Sequence, residues 1–140
     1  MIARPLAGKR IVLIDDSLVR GTTSVKIVTM MREAGAAEVH MRIASPPITH
    51  SDYYGIDTPE RDKLLAATHD LDGMRKFIGA DSLAFLSVQG IYRAMGYEKR
   101  DPARPQFTDH CFTGDYPTGL TDQAAQDHAP RQLSLLAEAG

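Results

Sequence analysis

Tryptophan is absent from this chain of 140 residues, cysteine occurs once, and aromatic side chains make up only 6%. The single cysteine, Cys111, excludes an internal disulfide and any metal centre built on several thiolates of this chain, and fits a reducing cytoplasm. An excess of one charge is also lacking. Lys and Arg number 16 against 18 Asp and Glu, a formal net charge of -2, so no global field gathers nucleic acid or an anionic membrane. Any anion site must be local. No apolar run is long enough to span a bilayer, and the start, "MIARPLAGKR", has no apolar core of signal-peptide length. What is present is a 43% hydrophobic content, sufficient for one domain with a real core.

The run Ile11–Ile14 is β-branched and leucine throughout, which predicts a strand buried on both faces in a parallel sheet. A helix should follow from Thr22 to Ala34, with Ile27, Val28, Met31 and Ala34 on one face and Gly35 as its stop. "EVHMRIAS" alternates Val39, Met41 and Ile43 inward as a second strand. The loop "SPPITHSDYYGIDTP" carries prolines that forbid regular structure. Arg61–Thr68 and Leu71–Ile78 read as two short helices, "SLAFLSV" as a third strand, and Gln89–Met95 as a further short helix. These make residues 1–96 an α/β unit. From residue 97 to 140 charge, proline and aromatics mix without period, predicting an extended tail held by individual anchors, with any last helix confined to Arg131–Ala139 by Pro130. Three strands are few for a parallel sheet, so the chain reads as part of a larger fold.

The chemistry concentrates in "KRIVLIDDSLVRGTTS", Lys9 to Ser24. Ligands in open α/β sheets bind beyond the carboxyl ends of the strands, where Asp15 and Asp16 fall. Adjacent residues at a strand end point to opposite sides, so the two carboxylates can take different partners: ribose hydroxyls and a hydrated Mg²⁺. "RGTTS" then supplies Gly21 for close backbone approach, the Thr22 and Thr23 hydroxyls, and the free amides of a helix start, which together suit a phosphate dianion. Arg20 could add charge. Taken separately, an Asp-Asp pair is commonly a solvated strand end and Thr-Thr-Ser commonly a helix cap. Joined behind a buried strand, they describe a site for a phosphorylated ribose. A response-regulator receiver domain also begins with an acid pair, and Asp57 and Ser87 fall near the spacing of its acceptor and switch residues. No apolar strand precedes Asp57, however, and no lysine suitably follows Ser87, which argues against that alternative.

"VLIDDSLVRGTTS" resembles the type I phosphoribosyltransferase signature as it occurs in the glutamine phosphoribosylpyrophosphate amidotransferase family. "REAGAAEVHMRIASPPITH", "YYGIDTP", "IGADSLAFLSV" and "CFTGDYPTG" extend the resemblance in the same order, from about Gly8 to Gly119. It implies a partial type I phosphoribosyltransferase fold: a parallel sheet of about three strands, flanking helices and an irregular C-terminal tail. The implied reaction is displacement of pyrophosphate from 5-phosphoribosyl diphosphate by glutamine-derived ammonia, giving 5-phosphoribosylamine at the opening of purine biosynthesis. Carried over residue by residue, Asp15 and Asp16 would hold the ribose hydroxyls and the Mg²⁺–substrate complex. Ser17, Arg20, Gly21, Thr22 and Thr23 would surround the 5-phosphate, and Tyr54 to Asp57 would face a glutaminase domain and the ammonia passage. The resemblance also implies a homo-oligomer in the full-length protein.

Several of the family's parts have no counterpart in the 140 residues. No glutaminase nucleophile precedes Lys9, and the upstream elements that would grip pyrophosphate are not found, so the chain is expected not to catalyse amidotransfer by itself. A non-catalytic phosphoribosyl-binding sensor is the alternative. Some relatives carry an iron–sulfur cluster; here Asp52 and Thr108 stand where its thiolates would be, and with Cys111 alone no cluster is expected. Cys111 is expected to be an inert thiol. His40, His50, His69, His110 and His128 are scattered without ligand spacing and receive no role.

Overall fold

The computed structural model describes residues 6–118, so the helix expected within Arg131–Ala139 lies outside the described residues. In chain order the elements are strand β1 (Arg10–Asp15), helix α1 (Thr22–Glu33), strand β2 (Glu38–Ile43), and a 3₁₀ turn (Arg61–Lys63). They continue with α2 (Leu65–Thr68), α3 (Leu71–Ile78), strand β3 (Ser82–Phe85), α4 (Val88–Ala94) and α5 (His110–Thr113). The sheet is parallel in the order β1-β2-β3. Ile11 lies opposite Val39, and Met41 opposite Leu83.

The inward alternation of β2 is as its pattern predicts: Val39 and Met41 are wholly buried and Ile43 nearly so. On that face they meet Val28 of α1 and Met74 and Ile78 of α3, together with Leu18, Leu65 and Leu83, in one continuous core. The α1 stop is also as expected, with Gly35 at φ 98° just beyond the cap residue Ala34. At the foot of the sheet, the Asp81 carboxylate accepts from the Val39 amide (2.6 Å) and from Arg32 at the end of α1 (2.7 Å).

Other expectations are corrected. β1 is not buried on both faces: Val12 and Ile14 are 61% and 75% exposed, because α1 and α3 cover only the other side of the sheet among the described residues. Arg61–Thr68 is not one helix. Leu64 adopts an extended backbone, φ -80° and ψ 121°, and divides it into a 3₁₀ turn and the single turn of α2. β3 stops at Phe85, three residues before the end of its apolar run, because Ser87 leaves the sheet to cap α4 by accepting from Gly90 N at 3.0 Å. The tail is not irregular throughout, since α5 forms one turn closed by Gly114 at φ 74°.

Individual anchors hold the tail to the body. Buried Tyr92 donates to Asp109 at 2.8 Å and stacks edge-on against Phe107. Arg100 grips Asp109 through two nitrogens, at 2.5 and 2.9 Å, and reaches Asp115 at 2.7 Å. The amides of Thr49 and His50 donate to the Cys111 carbonyl, and Tyr116 donates to the Ser51 carbonyl at 2.8 Å. The proline loop and the region around α5 are thus fastened side by side.

Candidate functional site

β1 ends at Asp15, and the chain passes through Asp16 to Gly21 before α1 begins. Leu18, 2% exposed, pins this loop to the core, and the Val19 carbonyl accepts from the Leu65 amide at 2.9 Å. Gly21 sits at φ 77° with α2 and α3 directly behind it. A Cβ there would lie 2.8 Å from Leu65 Cδ2 and 3.0 Å from Phe77 Cε1. Only glycine allows both the left-handed turn and this approach.

The cap residue of α1 is Gly21, and no side chain caps the helix. The possibility that Thr22, Thr23 or Ser24 serves as an ordinary hydroxyl cap is therefore removed. The first helical bond runs from Val25 N to the Gly21 carbonyl, so the amides of Thr22, Thr23 and Ser24 have no acceptor within the helix. Beside them the Thr22 and Thr23 side chains are exposed. Donors of this kind at the positive end of a twelve-residue helix favour an anion.

At the strand end, the Asp16 amide donates to Asp15 Oδ1 at 3.1 Å and the Ser17 hydroxyl donates to Asp16 Oδ1 at 3.2 Å. Among the described residues neither carboxylate forms an ion pair, so oxygens of both remain available to hydroxyls or to a hard cation. Asp15 to Ser24, with Asp57 and Pro59 from the proline loop, line a cleft of about 430 Å³. The structure thus gathers Asp15, Asp16, Ser17, Arg20, Gly21, Thr22, Thr23 and Asp57 around one space. Tyr54 is not among its lining residues: its hydroxyl contacts Thr118, and its ring packs edge-on against His110 at 4.9 Å.

One grouping was missed by the sequence analysis. Asp52, His110 and Cys111 place a carboxylate oxygen, an imidazole nitrogen and a sulfur all within 4.8 Å of one another. The histidines are therefore not all without a place beside potential ligands. The only sequence signal was the adjacency of His110 and Cys111, because Asp52 is remote along the chain. Burial, followed by the Asp52 charge, pushes the Cys111 thiol above its ordinary pKa, in keeping with an unreactive sulfur.

The sheet with this loop at its carboxyl end is part of a type I phosphoribosyltransferase fold. A scan against protein-family models gives no match. The amidophosphoribosyltransferase of Rhizobium etli is 63% identical over 136 residues, covering 96% of this chain and 27% of that protein. The Bacillus subtilis amidophosphoribosyltransferase is 50% identical over 121 residues, covering 86% and 25%. A solved structure of the Bacillus subtilis glutamine phosphoribosylpyrophosphate amidotransferase, complexed with ADP and GMP, superposes with a TM-score of 0.74 at 50% identity. It spans 84% of this chain and 26% of that one. The chain belongs to the amidophosphoribosyltransferase family, and it spans about a quarter of the length of the relatives it matches.

Proposed function

We propose that this chain carries the ribose-5-phosphate and Mg²⁺ subsite of an amidophosphoribosyltransferase. The whole enzyme would use glutamine-derived ammonia to displace pyrophosphate from 5-phosphoribosyl diphosphate, yielding 5-phosphoribosylamine and glutamate. The observation that carries this reading is the cleft lined by Asp15 to Ser24, with carboxylates at one end and an uncapped helix start at the other. The 5-phosphate takes the amides of Thr22 to Ser24 and the threonine hydroxyls, with Arg20 at the rim. The ribose hydroxyls donate to Asp15 and Asp16. The oxygen-only donors at these two positions also fit Mg²⁺, which when bound neutralises charge on the diphosphate. Binding at both ends of the ribose phosphate fixes the sugar, so its anomeric carbon is held still for the incoming ammonia.

Partners follow from the same reading: a glutaminase domain and the pyrophosphate-binding part of the phosphoribosyltransferase, in a cytoplasmic homo-oligomer. The loop from Tyr54 to Asp57 is assigned to the face toward the glutaminase and the ammonia passage. It is supported there by exposed Tyr53, Tyr54 and Ile56 next to the cleft wall formed by Asp57 and Pro59.

Asp15→Asn and Asp16→Asn test the reading in the full-length protein. Loss of a hydrogen bond to a charged group costs about 1.5–3 kcal/mol, so kcat/KM for 5-phosphoribosyl diphosphate should fall about 10- to 150-fold. The melting temperature should hardly move, since both side chains face the cleft. Unchanged kcat/KM in both variants would remove the acids from the site, and retained ribose 5-phosphate binding without any turnover would favour the sensor alternative.

A further inference from the structure

The turn that presents the Thr22 to Ser24 amides is held from behind at two points. The Val19 carbonyl accepts from the Leu65 amide at 2.9 Å, and a Cβ on Gly21 would stand 2.8 Å from Leu65 Cδ2. Leu65 thus supplies both a hydrogen bond and a wall. Beside it the edge of the Phe77 ring closes the rest of the approach, with Cε1 and Cδ1 at 3.0 and 3.2 Å from the same Cβ position.

Core packing does not account for Phe77. Helix α3 buries Met74 and Ile78 in the core, whereas Phe77 is 45% exposed and lies outside that cluster. What its ring does meet is the turn at Gly21 and, with centroids 5.8 Å apart, the ring of His69 at the end of α2. His69 is itself fixed, since its amide donates to the Leu65 carbonyl at 2.9 Å. The helices α2 and α3 therefore form one backing, made of Leu65, His69 and Phe77, behind a residue that has no side chain of its own to hold it.

Without a wall, a glycine visits both hands of φ and carries the amides that follow with it. We propose, resting on the ribose-5-phosphate subsite described above, that Phe77 together with Leu65 is a positioning residue of that subsite. Neither lines the cleft, and both act through Gly21. By blocking other conformations of the turn they fix the direction of three donors before phosphate arrives, so less conformational freedom is lost on binding.

Ribose 5-phosphate titration of the isotope-labelled 140-residue protein, followed through the Thr22, Thr23 and Ser24 amide resonances, tests this. Phe77→Ala should weaken binding about tenfold, the lower end of what loss of a supporting neighbour costs a ligand site. Phe77→Tyr, which keeps the ring edge, should restore it. Leu71→Ala removes an apolar side chain of similar exposure, 51%, from the same helix but from a separate groove beside Phe85 and Leu86, and should leave the affinity unchanged. Equal losses in Phe77→Ala and Leu71→Ala would reduce Phe77 to a structural part of α3 and overturn the proposal. Gly21→Ala should also weaken binding less in the Phe77→Ala background than in the parent, because part of the clash has been removed; strictly additive losses overturn the proposal as well. A parent whose amides ignore ribose 5-phosphate would overturn the subsite reading itself, whereas a responding parent with unchanged affinity in Phe77→Ala overturns the positioning role alone.

Discussion

Gly21 bears two demands at once, a left-handed backbone at φ 77° and a near contact with Leu65 and Phe77. Gly21→Ala should destabilise the protein by roughly 1–3 kcal/mol, the usual cost of a residue forced into sparsely populated backbone space. It should also weaken phosphate binding, because relief of the clash moves the amides that follow. Denaturant unfolding and phosphate-dependent amide shifts at Thr22 and Thr23 measure the two effects; a variant equal to the parent in both would show that the approach is not tight. The sequence marked this glycine as a point of close backbone approach. What approaches it was not legible, since Leu65 and Phe77 lie far along the chain and reach it only after α2 and α3 have packed.

Among the elements, the junction of α1, β2 and β3 rests on Asp81. Its carboxyl is held below the ordinary value of 3.8 first by the Val39 amide and then by the Arg32 guanidinium. A depressed folded-state pKa means that this stabilisation is fully present above about pH 4 and is lost as pH falls through the lowered value. Asp81→Asn should therefore be less stable than the parent at pH 7, and the gap should narrow below about pH 4. Unfolding midpoints at pH 7 and pH 3 check this; a gap of constant size would remove the linkage. Element types were mostly legible, because α1, α3 and β2 declare themselves by period. Their ends were less so. The apolar run after β3 contains Ser87, which serves α4 as a cap instead of extending the strand, and Leu64 interrupts the stretch from Arg61 to Thr68.

At the scale of the molecule, one face of the sheet is covered by α1 and α3, while the other presents Val12, Ile14 and Ala84. Beside this apolar patch the same strands carry a polar row in which His40 joins Glu38 and Ser82 at 2.8 Å each. If the remainder of a family-length protein packs here, Ile14→Glu should change the stability of the 140-residue chain by no more than about 0.5 kcal/mol, as for other surface substitutions. The same substitution in the full-length protein should lower its melting temperature by several degrees, because a charge would then be buried unpaired. Equal effects in the two contexts would mean that nothing covers this face. The hydrophobicity of β1 was visible from the start, but hydrophobicity along a strand does not say whether its partner surface lies within the same 140 residues.

The sequence by itself determined the acid pair, the glycine and the hydroxyl-bearing helix start, because Asp15 to Ser24 are contiguous and a strand-loop-helix transition places them together wherever it folds. It also determined which faces of α1 and β2 are apolar, since that depends only on spacing. The tertiary structure alone decided that Asp57 joins the cleft, that Gly21 carries the helix cap, and that Asp52 meets His110 and Cys111. The Gly21 turn is set where Leu65 and Phe77 of α2 and α3 pack behind it, and the meeting of Asp52 with His110 and Cys111 depends on how the proline loop and the tail dock, through bonds such as Thr49 to Cys111 and Tyr116 to Ser51. Contacts between remote segments leave no periodic trace in the chain, and only the folded packing brings them within reach.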